Sequence, residues 1–264
     1  MNRLVRFATV LAMCIAVVPA SAQWAPYLPP GVPLTASGEP DLDAPAPRTA
    51  DGRPDLTGVW QGERGGRTSE DDGPPIAGFA DVGQNIEGGL PLRAEAAALR
   101  EERRARDGAD NPEAHCLPMG IMQFHTQGAP RKFIQTPNVI VILYEASMGV
   151  RQIFIDGRTL PGEEAHPWWY GYSVGRWEGD TLVVQTTGLR DGGWLDIFGS
   201  PLTDAATITE RFRRVSYGRM EIDITIDDPK AYTRPWTVRV NQRIMPDQEL
   251  IEFVCLENQR FGPR

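Results

Sequence analysis

Between Glu221 and Ile226 polar and apolar residues alternate without a break. Ile222, Ile224 and Ile226 fall on one face, and Glu221, Asp223 and Thr225 on the other. A period of two marks a β-strand with one wet face. The same reading predicts strands at Arg131–Thr136, Asn138–Glu145, Arg151–Ile155, Gly171–Trp177, Thr181–Thr187, Thr207–Arg214, Arg219–Ile226, Trp236–Ile244 and Glu249–Cys255. Turn signals separate them: Asp156-Gly157, Glu178-Gly179, Tyr217-Gly218, Asp228-Pro229 and Pro246-Asp247. The stretch Trp168–Gly188, WWYGYSVGRWEGDTLVVQTTG, stands at the centre. It reads as two strands about the tight turn Glu178-Gly179-Asp180, the second arm rich in β-branched residues. Leu56–Glu63 adds a first strand. Short strands with local turns predict a mostly β fold: an antiparallel meander, closed as a barrel or folded as a sandwich.

One helix interrupts the pattern, at Leu90–Arg106. Pro91 suits its first turn, Ala94, Ala96, Ala97 and Ala98 favour it, and Leu92, Ala96 and Leu99 form a narrow apolar stripe. Interspersed glutamates make its arginines a solvated face. With the Gly- and acid-rich Gly65–Gly89 before it, this helix forms an insertion at about residues 65–110 of a β-domain spanning 54–264. Residues 23–53 are proline-rich and read as an extended arm or strap. At the N-terminus, Arg3 and Arg6 precede the apolar run Phe7–Val18, and Ala20-Ser21-Ala22 is a small-residue cleavage signal. Residues 1–22 are thus expected to be a signal peptide cleaved after Ala22, leaving a periplasmic or secreted protein. No later segment is apolar for long enough to predict membrane insertion.

Export gives the cysteines a meaning. Cys14 leaves with the signal, so Cys116 and Cys255 remain as an even pair in an oxidising compartment and are expected to form a disulfide. A metal site or a reactive thiol is the alternative; His115 adjoins Cys116, but no CxxC or HxxxH spacing supports zinc. The formal net charge is −8, and −10 once Arg3 and Arg6 leave. Such acidity argues against nucleic acid and anionic membrane surfaces as partners.

No nucleotide-binding loop is present, so no cofactor is expected. Gly171-Tyr172-Ser173-Val174-Gly175 has the letters of a nucleophile elbow, but the serine sits within a strand rather than a strand-to-helix turn. Acid–base candidates are His166, which follows Glu163-Glu164, and His125, which lines a cavity or caps a loop. Arg151 and Glu210 lie in strands, where either face is open to them; buried together they would need pairing. Trp168, Trp169, Tyr172, Trp177 and Trp194 are candidate walls of a ligand site, with ordinary core packing as the alternative.

Gly58-Val59-Trp60 resembles the first-strand signature of lipocalin-like barrels, in which the tryptophan closes one end. Further motifs are Asp55-Leu56-Thr57-Gly58-Val59-Trp60, Gly171 to Val184, Trp194-Leu195-Asp196, Glu210-Arg211-Phe212 and Asp227 to Tyr232. Together they resemble a large family of exported bacterial proteins. The resemblance covers nearly all the chain after residue 50. It implies export and family membership, and no particular reaction. Members often carry a histidine near the position of Leu202.

Three functions fit this reading. The first is binding of a small hydrophobic or aromatic molecule. The second is a cofactor-independent lyase, isomerase or hydrolase using a histidine–carboxylate pair beside an arginine. The third is an envelope interaction module. An enzyme predicts a histidine and a carboxylate within hydrogen-bond reach, a carrier an apolar cavity, and an interaction module an exposed apolar patch.

Overall fold

A computed structural model describes residues 27–63, 73–162 and 164–255. The expected signal peptide and Glu163 lie outside them. The strands are β1 Gly58–Gly62, β2 Arg131–Gln135, β3 Val139–Tyr144, β4 Val150–Phe154, β5 Tyr172–Glu178, β6 Thr181–Thr187, β7 Gly193–Trp194, β8 Pro201–Leu202, β9 Thr207–Arg214, β10 Arg219–Asp227 and β11 Trp236–Ile244. Helix α1 spans Ala94–Ala105 and α2 spans Ile121–Thr126. Nine strands close into a barrel in the order β1-β11-β10-β9-β6-β5-β4-β3-β2, while β7 and β8 form a separate small sheet. This is a lipocalin-like barrel with an inserted helix.

The ring is not wholly antiparallel. β4 and β5 pair in parallel, Ile153 against Ser173. A parallel neighbour needs a crossover rather than a tight turn, and residues 155–171 provide it. Glu249–Cys255 forms no strand, contrary to the pattern of its residues. β11 is already paired on both sides, with β1 and β10, so the ring offers no edge for another strand beside it. The tail is held instead by Lys132 Nζ to Glu249 at 2.6 Å and by a bond from Ile251 N to Glu145 at 3.1 Å. The Cys116–Cys255 disulfide is formed.

Helix α1 begins four residues later than expected. Arg93 N donates to Ala231 O and Leu92 bridges Tyr232, so the chain stays extended through Pro91. Its docking face is also different, since Leu99 is exposed and Ala96 is its buried residue. Arg103 lies over the Trp194 ring, 4.8 Å from its centre, and donates to Gly199 O, while Arg100 pairs with Asp81. Arg103 thus clamps α1 to the β7–β8 hairpin and Arg100 ties it to the loop at Asp81, while Arg104 and Arg106 lie with Glu101 and Glu102 on the exposed face.

Inside the barrel the period of two is kept. Phe133, Ile142, Ile153, Val184, Phe212 and Ile224 are each 0% exposed. A water-sized void beside these side chains would leave them some accessible surface, so the middle is packed like a core. One end is closed by Trp60, whose indole N–H donates to Leu56 O at 3.0 Å beneath the Arg214 guanidinium, 4.9 Å from the ring centre. The proline-rich segment crosses this end, accepting from Tyr217 N and Gly218 N through Ala44 and Leu42 and pairing Arg48 with Asp180. At the opposite end α2 is a plug with all six residues buried.

A buried polar layer as candidate functional site

Beneath α2 the apolar interior gives way to a layer of polar side chains. Strand alternation places each one: Arg131 shares a face with Phe133, Tyr144 with Ile142, Arg151 with Ile153, and Glu210 with Ile208 and Phe212. Register then brings them together. Arg131 lies opposite Tyr144, and Ser173 opposite Thr186. α2 adds His125 from above.

Glu210 is the hub. Its Oε1 accepts from His125 Nε2 at 2.7 Å and from Arg151 Nη1 at 3.0 Å, and its Oε2 accepts from Arg151 Nη2. Arg151 also donates through Nε to Ser173 Oγ at 3.2 Å and through Nη2 to Thr186 Oγ1 at 3.0 Å. The two hydroxyls are themselves 2.8 Å apart. Arg131 Nη1 faces His125 Nδ1 at 3.2 Å. That nitrogen must therefore accept, and the ring proton sits on Nε2, aimed at Glu210. The imidazole is neutral, and two guanidiniums face one carboxylate. The layer carries one excess positive charge.

Electrostatics follow from burial and partners. Burial pulls His125 below its ordinary value, and Glu210 only partly opposes this. Burial alone would raise the Glu210 carboxyl, but Arg151 and His125 overcome it and hold it at about 2. Burial lowers Arg131 to about 10. Both His125 and Glu210 have folded values below the unfolded ones, so the stability they contribute is present at high pH and lost as pH falls. Loss is expected in two steps, the first below about 6.5 as His125 is forced to take a proton against Arg131, the second from 4.5 towards 2 as Glu210 protonates. Urea midpoints measured from pH 8 to pH 3 should show the upper step in wild type and not in His125→Gln. An identical profile in both proteins would refute the neutral, Arg131-facing imidazole.

An aromatic cluster flanks the layer. Phe124 stacks on Tyr144 with centroids 3.9 Å apart, and Tyr170 tilts against both at 5.4 and 6.3 Å. Burial raises the Tyr144 phenol, and burial with Tyr144 nearby pushes Tyr170 up to about 12. Gly149 makes this packing possible, since a Cβ there would stand 2.8 Å from Tyr170 Oη and 3.0 Å from Phe124. The loop before it holds Ser147 and Met148 at φ 56° and 47°, a left-handed conformation unfavourable to both.

Of the residues expected to carry chemistry, His125, Arg151 and Glu210 thus meet. His166 does not join them. It is exposed and lines a cleft of about 1130 Å³ with Arg190, Asp191, Asp204 and Lys230. Among the described residues no carboxylate bonds to it, and Glu164 is exposed. The expected aromatic wall is likewise dispersed. Trp168 and Tyr172 touch each other at 5.5 Å on the outer side of β5, Trp169 lies under Arg190, Trp177 under Arg53, and Trp194 under Arg103. Ser173 is an acceptor for Arg151, not a nucleophile in an elbow. Asp196 and Asp228 act as loop clamps, accepting from Val82 N and Ser200 N, and from Thr203 N and Lys230 N, respectively.

Arg131, Tyr144, Phe124 and Tyr170 were not among the expected site residues. For the first two a signal was present, because each alternates in phase with inward apolar neighbours. Phe124 and Tyr170 lie outside the strands and gave none. Among the described residues no three His, Cys, Asp or Glu side chains converge as metal ligands. No protein-family model and no curated protein matches this chain.

Proposed function

We propose that the protein binds a small organic molecule of aromatic character at the α2 end of its barrel. The observation that carries this reading is the Phe124–Tyr144–Tyr170 cluster set directly against a layer of aimed polar groups. Ligand sites usually combine such walls with a few convergent donors and acceptors. With the middle of the barrel packed, entry is by displacement of short elements. α2 has six residues and no side-chain N-cap, and the β3–β4 loop holds two strained residues. Moving α2 gives up the His125–Glu210 bond and the burial of its six residues, so a ligand must replace those contacts. Export, and membership of the family whose motifs the chain resembles, belong to the same proposal; the disulfide supports them, since such bonds persist in oxidising compartments.

A second reading rests on the 2.7 Å contact between His125 and Glu210. Glu210 fixes the imidazole with its lone pair on Nδ1, so a cofactor-independent lyase, isomerase or hydrolase would use this pair as a general base with Arg131 turned from Nδ1 towards the substrate.

Thermal shifts with a panel of neutral and charged aromatic compounds test the first reading. A true ligand at about 100 times its Kd stabilises by about 2.7 kcal/mol, and Tyr170→Leu should weaken the response. A panel without a saturable shift would overturn the proposal. Mass spectrometry of the same mixtures separates the readings: a binder returns the compound intact, an enzyme converts it and His125→Gln does not.

A further inference from the structure

The two buried arginines of the layer are not alike. Arg151 uses Nε, Nη1 and Nη2 on Ser173, Glu210 and Thr186. Its charge is met by Glu210, and its role in the fold is thereby accounted for. Arg131 is 0% exposed, yet its Nε and Nη2 have no acceptor among the described residues. Among the described residues its one side-chain hydrogen bond is with a neutral imidazole nitrogen. Both Glu210 oxygens serve His125 and Arg151, and His125 O takes Gln242 Nε2 at 3.1 Å, while the buried Tyr144 Oη and Gln242 Oε1 are themselves without a partner among the described residues and do not bond to Arg131. A buried guanidinium with unmet donors and no counter-charge is among the least favourable groups a folded chain can hold. Folding alone does not explain it.

We infer that Arg131 is the anchor for a carboxylate on the ligand, so that this site takes small aromatic or hydrophobic carboxylic acids. The inference rests on the ligand-binding reading above and names the chemical class. Charge decides among anions. The layer has one excess positive charge, so a monoanion brings it to zero, whereas a phosphate dianion would leave a net negative charge buried. Geometry agrees. Nε and Nη2 form one edge of the guanidinium, and two parallel N–H groups on one edge match the two oxygens of a carboxylate. Tyr144, opposite Arg131 in the register, supplies a phenol that stays protonated because burial raises it. With no water-sized void beside Arg131, the ligand takes the place that α2 leaves, its apolar body lying on Tyr144 and Tyr170 where Phe124 stacks in the closed form.

The test compares benzoate, 3-phenylpropionate and 1-naphthoate with their primary amides, by calorimetric titration of the full chain and of Arg131→Met. The amides keep the shape and lose the charge. Wild type should bind at least one carboxylate about tenfold or more tightly than its amide, the usual worth of a charged hydrogen-bond pair. Arg131→Met should lose that preference and bind acid and amide alike. It should also melt no lower than wild type, because it removes an uncompensated buried charge. Equal affinity for acid and amide in wild type, a preference that survives in Arg131→Met, or no carboxylate binding at all would overturn the inference. If neutral compounds bind while carboxylates do not, ligand binding stands and the anchor role of Arg131 falls. If no aromatic compound of any charge binds, both fall.

Discussion

Glu210→Gln is expected to lower the stability of the fold by about 3–5 kcal/mol, the range seen when one partner of a buried ion pair is removed. The amide keeps the size of the side chain and loses its charge. Arg151 and Arg131 then remain in the interior as two cations without an anion. In a domain of this length that loss corresponds to a fall in Tm of roughly 6–20 °C. The control is Arg151→Met with Glu210→Leu, which removes the pair together and leaves apolar volume. Because the desolvation of both charges disappears with their attraction, the double variant should recover most of the lost stability. Urea denaturation of the three proteins at pH 7.5 provides the measurement. If Glu210→Gln melts with wild type, the carboxylate is not holding the layer together. If the double variant is as weak as the single one, packing rather than charge is responsible.

The disulfide should matter at least as much. Cys116 and Cys255 are separated by 139 positions, and closing a loop of that length restricts the unfolded chain by about 5 kcal/mol in the chain-entropy account. The bond also has a local role. Cys116 lies just ahead of the α2 plug, and Cys255 follows a stretch tied back, among the described residues, through Glu249 and the Ile251 amide. Cys116→Ser with Cys255→Ser is therefore expected to lose several kcal/mol in urea and to become cleavable by protease between residues 245 and 255. Dithiothreitol should reproduce both effects in wild type and neither in the double serine variant. An unchanged midpoint under reduction would refute the staple.

Much of this architecture was legible in the chain because strands are read from a local period. Ile222, Ile224 and Ile226 announce their own face, and most predicted strands agree with the observed ones to within a residue or two. What failed was non-local. The parallel contact of Ile153 with Ser173 depends on where residues 155–171 run, which no period encodes. Glu249–Cys255 has strand-like residues but meets a ring already closed. IMQFHT of α2 is buried all round, so it lacks the stripe that reveals an amphipathic helix. For the site, His125, Arg151 and Glu210 were suggested by residue type. Their meeting was not, because it requires the register of β4 against β5, β6 and β9. Trp169, Trp177 and Trp194 each lie under a guanidinium, and such rings serve packing as readily as binding, so residue type alone does not place them in one wall.

The ring closes through its first strand: β1 pairs with β2 on one side and with β11 on the other. A chain emerging from its N-terminus therefore cannot complete the barrel until residue 244 has appeared, however early β2, β3 and β4 assemble. Until then two strand edges stand open, and open edges invite pairing with other chains. Loss of even the last strand would turn a molecule without free edges in its barrel into one with two. Premature stops near residue 235 should consequently yield aggregates rather than a smaller folded protein.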